Sequence, residues 1–85
     1  MKSIKVTRVH INAGTIGHAF KCPIALALHE NGFPDANVLT GYTYLNRSRL
    51  IDNSEEVQKW IKAHDALNKV ELITIIIGDG TLYMQ

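Results

Sequence analysis

One cysteine, two prolines and an aromatic content of 7% in 85 residues close off several classes of protein at once. Cys22 has no partner for an internal disulfide, which excludes a bridge-stapled secreted scaffold, and no Cys or His pair has zinc-ligand spacing. Two prolines and six glycines are too few for a collagen-like or low-complexity chain. No stretch approaches the roughly 18 uninterrupted apolar residues of a membrane-spanning helix. The opening MKSIKVTRVHI scatters charge where a secretory signal would carry an apolar block. The expectation is a cytoplasmic protein with no metal and no cofactor.

The other shortage is of acid. Met1 to His29 contains Lys2, Lys5, Arg8 and Lys21 and neither Asp nor Glu; the first carboxylate is Glu30. His10, His18 and His29 lie in the same third. The rest of the chain carries five Lys and Arg against eight Asp and Glu, so a net charge of +1 hides an uneven distribution. A basic third of this kind is the place to look for an anionic ligand.

What the chain does have is 46% apolar residues, enough for one small core, and residues 1–85 are read as a single domain. A domain of this size buries only about 60% of its unfolded surface, so support from a partner subunit is the default expectation. Ile4 to Thr7 alternates as a strand, and Thr7 caps a short helical turn from Arg8 that stops at Asn12-Ala13-Gly14. After the loop Thr15 to Lys21, Pro23 at a first helical position opens a mostly apolar helix to Asn31, which Gly32 ends. Asn37 to Leu45 reads as strand material interrupted by Gly41, and Asn46-Arg47-Ser48 as a hairpin loop into a strand over 49–52. Asn53 or Ser54 caps a helix on which Val57, Trp60, Ile61, His64 and Leu67 form one stripe; Asn68-Lys69 ends it. Val70 to Ile77 is a strand apolar on both faces beyond Glu71, and Gly78-Asp79-Gly80 turns it into a short partner strand over 81–84. The class is α+β, a mainly antiparallel sheet with two helices in β-α-β-β-α-β order. Because helices cover only one face of such a sheet, the two-sided strand predicts a homo-oligomer.

Several residues are candidates for contact with a ligand. The helix start at Cys22-Pro23 offers a positive dipole end to a phosphate or carboxylate, with Lys21, Arg8, His10 and His18 adding charge. Tyr42 and Tyr44, two apart on a strand, turn both rings to one face and suit a nucleobase. A nucleophilic Cys22 with His18 or His10 as base lacks a third group to orient the histidine, so no catalytic set is assembled and an enzyme is not expected. His64, on an apolar stripe, is read as a core histidine. Gly14-Thr15-Ile16-Gly17, a G-x-x-G between helical segments, is similar to the grip loop of K-homology RNA-binding domains, although Thr15 and Ile16 are uncharged.

Two segments, VTRVHINAG over 6–14 and CPIALAL over 22–28, resemble a family of small uncharacterised bacteriophage and prophage proteins. These open with a strand, a His-Ile-x-x-Gly turn and a Cys-Pro-(Ile or Val)-Ala-Leu-Ala-Leu helix. A later helix that ends near a charged Asp is matched by Trp60 to Asp65. The resemblance implies a viral accessory protein in the host cytoplasm that works by binding. The expected function is capture of a small anionic, nucleotide-derived signal to counteract host defence, through Arg8, His10, His18, Lys21 and Cys22 at phosphate and Tyr42 and Tyr44 at a base. A protein-binding inhibitor of a host enzyme is the alternative, and weak single-stranded RNA binding a further one. Nucleic acid and membrane are otherwise not expected partners.

Overall fold

A computed structural model describes residues 2–85. Nine elements follow one another: β1 (Lys2–Val6), α1 (Arg8–Ala13), α2 (Pro23–Glu30), β2 (Asn37–Val38), β3 (Tyr42–Asn46), β4 (Arg49–Asn53), α3 (Glu55–Asp65), β5 (Ile73–Ile77) and β6 (Thr81–Met84). The strands make a single six-stranded sheet in the order β1-β5-β6-β4-β3-β2. All neighbours run antiparallel except β4 and β6, which pair in parallel where Asp52 meets Thr81 and Asn53 meets Leu82. The fold is α+β, as the sequence pattern implies.

Period-two alternation decides which face is buried. Ile4 and Val6 stand opposite Ile75 and Ile73, Ile77 opposite Leu82, and Thr43 opposite Ile51. Together with Leu45 and Val38 they turn one face of the sheet to the helices. There Ile24, Ala25, Ala27 and Leu28 of α2 and Val57, Trp60 and Ile61 of α3 complete the core. Among the described residues no helix covers the opposite face, where Lys5, Tyr42, Tyr44, Leu50 and Asp52 are exposed.

Four details differ from the reading of the sequence. Asn37 to Leu45 is not one interrupted strand: the chain reverses between Val38 and Thr43, which are paired, and Leu39 N–H bonds the Tyr42 carbonyl at 2.9 Å. Gly41 therefore lies in a hairpin turn and does not interrupt a single strand. The last long strand starts at Ile73 instead of Val70, because the Glu71 carbonyl accepts the Trp60 indole N–H at 3.0 Å and holds the approaching chain to α3. Leu67 is not on the buried stripe; it is 80% exposed. α3 ends before it, with Asn68 N–H on the Ala63 carbonyl and Leu67 itself left-handed at φ 65°. The parallel contact of β4 with β6 has no sequence signature at all.

One buried polar residue ties these parts together. Asn53, 4% exposed at the end of β4, accepts the Thr43 hydroxyl at 2.7 Å. Its amide donates to the carbonyls of Leu39 and Thr40 at 2.7 and 3.0 Å. Its own N–H reaches the Gly41 carbonyl, and its carbonyl accepts the Gln58 amide of α3. An Asn53→Leu protein, measured by urea unfolding, is expected to lose about 2–4 kcal/mol, because several buried groups lose their partners together. Leu67→Gly is expected to gain about 1 kcal/mol by relieving the left-handed leucine, despite the extra freedom of glycine in the unfolded chain. An unchanged midpoint would show that Leu67 is not strained.

Candidate functional site

α1 runs back along α2, and that decides where the expected ligand residues go. Gly14 lies against Pro23 so closely that a Cβ there would come within 2.6 Å of the proline ring, whereas His10 reaches the far end of α2. His10 Nδ1 accepts the Thr7 N–H at 2.9 Å, so Nε2 carries the proton and donates to Glu30 at 2.7 Å. His10, buried, thus holds the α1 start and the α2 end together. An eight-residue helix is about 12 Å long, which separates Arg8 and His10 from Lys21 and Cys22 by the length of α2. The basic third of the sequence does not converge on one point.

The α2 start is built differently from an open anion site. Pro23 has no N–H, Ala25 N–H bonds the Cys22 Sγ at 3.4 Å, and Leu26 N–H bonds the Cys22 carbonyl at 3.0 Å. The capping cysteine takes the donors that a phosphate would use. The Gly14 to Gly17 loop is likewise engaged. Thr15 N–H bonds the Lys21 carbonyl at 2.7 Å, and Gly17 N–H bonds the Asp65 carboxylate at 3.2 Å. Gly14 makes the close approach of α1 to α2 possible and Gly17, at φ 69°, takes the left-handed turn. The two glycines have structural reasons, and a carboxylate sits where a K-homology loop would grip phosphate.

The loop over 15–21 folds against the edge of the sheet, where Val38 N–H bonds the Ala19 carbonyl at 2.8 Å. Between this loop, the β2–β3 turn and the end of α3 lies a cleft of about 230 Å³. Its floor is Cys22, Val38 and Ile61; Gly17, His18 and Ala19 form one wall, Leu39 and Thr40 another, and Asp65 the end. The titratable lining groups are His18, Cys22 and Asp65, with no Lys or Arg among them. Lys21 is exposed on the same loop, next to Cys22 in the chain. Asp65 stands in the last turn of α3, the end of a helix that disfavours acid. An acid placed against the helix dipole was the one signal in the sequence that marks it as special; Thr40 and Leu39 carried none.

Tyr42 and Tyr44 are elsewhere. They alternate with the buried Thr43 and Leu45, so both rings lie on the helix-free face, 5.8 Å apart and edge to face. The structure brings His18 and Cys22 to one cleft and sets Arg8, His10 and the tyrosine pair apart from it. His64 is buried and stacks on Trp60 with ring centroids 5.8 Å apart, and its nearest acid, Asp65, is at 3.8 Å.

Burial pushes the Cys22 thiol above its ordinary value of 9.0, and the backbone N–H contacts offset this only in part. The folded state therefore favours the neutral thiol. Stability from this group is fully present below the unfolded-state pKa and falls as pH rises through it toward the folded value. Urea unfolding at about pH 7 and pH 10 is expected to show a smaller alkaline loss for Cys22→Ala than for the parent; parallel losses would refute the assignment. Among the described residues no helix is long and apolar enough to cross a membrane, and no cluster of His, Cys, Asp and Glu has the makings of a metal site. No protein-family model, curated protein or solved structure matches the chain.

Proposed function

We propose that the protein binds a small nucleotide-type ligand without transforming it, taking the base into the cleft between the 15–21 loop and α3. The observation that carries the reading is the pairing of an apolar floor with a carboxylate and an imidazole at the walls of one cavity. At about 230 Å³ the cavity suits a single ring system, with the remainder of the molecule outside. The Asp65 side chain is about one-third exposed, 36%, so it has access to a ligand while one oxygen holds Gly17. A carboxylate accepts from the N–H edge of a base, and such charge-assisted bonds are the stronger kind. His18 and Lys21 on the mouth loop then meet the phosphate. This differs from the expectation of a phosphate seated on the α2 start, whose donors Cys22 already uses.

The resemblance to phage proteins supplies the biological setting of the proposal: sequestration of a host defence signal in the host cytoplasm. A protein-binding inhibitor is the second reading. It is favoured by Leu72, 58% exposed beside a groove formed with Val6 and Ile73 at the β1 side of the sheet.

Calorimetric titration with cyclic nucleotides and ADP-ribose-type nucleotides, followed by mass analysis of the recovered ligand, tests the proposal. One member of the set is expected to bind and return with unaltered mass. Asp65→Asn and Lys21→Glu are each expected to weaken it about tenfold, and Tyr44→Ala to leave it unchanged. Affinity that ignores both cleft variants sinks the site, and a product of new mass sinks the non-catalytic reading. A chain that binds none of these nucleotides but retains a host protein supports the second reading instead.

A further inference from the structure

The helix-free face of the sheet is independent of the cleft and poses its own question. Alternation gives it Tyr42, Tyr44, Leu50, Ile76 and Tyr83 among smaller polar residues, an apolar content that an ordinary solvated sheet face does not carry. Its strands contribute two charges to this face, Lys5 on β1 and Asp52 on β4, both exposed.

Those two charges are placed symmetrically. Ile76 and Tyr83 are paired across β5 and β6, and Ser3 continues the same row onto β1. Lys5 lies one strand beyond β5 and two residues along from that row. Asp52, level with Thr81, lies one strand beyond β6 and two residues along in the opposite sense. At ordinary sheet spacings they are about 20 Å apart, too far to pair within one chain. A two-fold axis lying across the Ile76–Tyr83 pair exchanges their positions.

We infer that this face is the interface of a homodimer, two copies packed sheet to sheet about that axis. Each Lys5 then meets the Asp52 of the other copy, and Ile76 and Tyr83 of both copies fill the centre. The charge pattern selects this occupant. A single-stranded nucleic acid would need an excess of cations, and the face carries one charge of each sign. Addition at the sheet edges is opposed as well: β1 presents Lys2 and Lys5 there, and the edge at β2 is already bonded to the 15–21 loop.

Sedimentation equilibrium of the intact chain, with Lys5→Glu, Asp52→Lys and the double variant, tests the inference. The parent is expected to run at twice its 9.5 kDa chain mass. Each single variant places like charges face to face, and its dissociation constant is expected to rise about tenfold or more. The double variant reverses both signs and is expected to recover most of the loss, a result that general destabilisation of the fold does not produce. A parent that stays monomeric at about 100 µM overturns the inference. So does a dimer indifferent to both substitutions, or a monomer that binds a single-stranded oligonucleotide in a Tyr42- and Tyr83-dependent manner.

Discussion

The Asn53 side chain is the point on which the sheet turns. β4 ends there, α3 begins two residues later, and the hairpin between β2 and β3 must be held against both. A turn whose carbonyls face the interior needs donors that no neighbouring strand supplies. Asn53 provides them from a strand end, with Thr43 closing its remaining acceptor. An asparagine fits because it donates and accepts on one short, planar group; Asp lacks the donors and Leu lacks both functions. The wall of the cleft formed by Leu39 and Thr40 stands where it does because of this contact.

A second constraint is the close passage of α1 along α2. Without a side chain at Gly14 the two helices approach to direct contact at the Pro23 end, and the His10–Glu30 bond fixes the other end. The pair then behaves as one rigid strut, with its basic and imidazole groups spread along its length. This arrangement favours a small site formed by one loop and one helix end over a broad anion-binding surface. Cys22 contributes to the cleft as part of its apolar floor, where burial favours a neutral sulfur, and to α2 as its cap, where that sulfur accepts the Ala25 N–H.

Much of the architecture was legible because local rules and tertiary packing agree. The Ser54 cap, the α3 stripe up to His64, Pro23 at the α2 start and the left-handed Gly32 follow from residue chemistry that does not depend on distant partners. The errors occur where tertiary contacts override the pattern. Glu71 was drawn to Trp60 although Val70 to Ile77 reads as one strand, and Leu67 accepts a backbone conformation its residue type disfavours. The candidate site was less legible than the fold. His18, Lys21 and Cys22 are close in the chain, and their loop brings two of them to the cleft. Arg8, His10 and the tyrosines shared only a charge or a ring type, and alternation and helix direction carried them to other surfaces.

The position of β6 has a consequence for how the chain acquires its structure. This four-residue strand lies in the interior of the sheet, with β5 and β1 on one side and β4, β3 and β2 on the other. Within the sheet, neither half is hydrogen-bonded to the other except through it. The β2–β3–β4 meander can form from contacts close in sequence, whereas β1 must wait for β5, about 70 residues further on, and β6 has to lie between the two groups before the sheet is continuous. Completing the sheet therefore depends on pairings of high sequence separation, and the folding rate is set by bringing distant segments of the chain together rather than by the growth of one local hairpin.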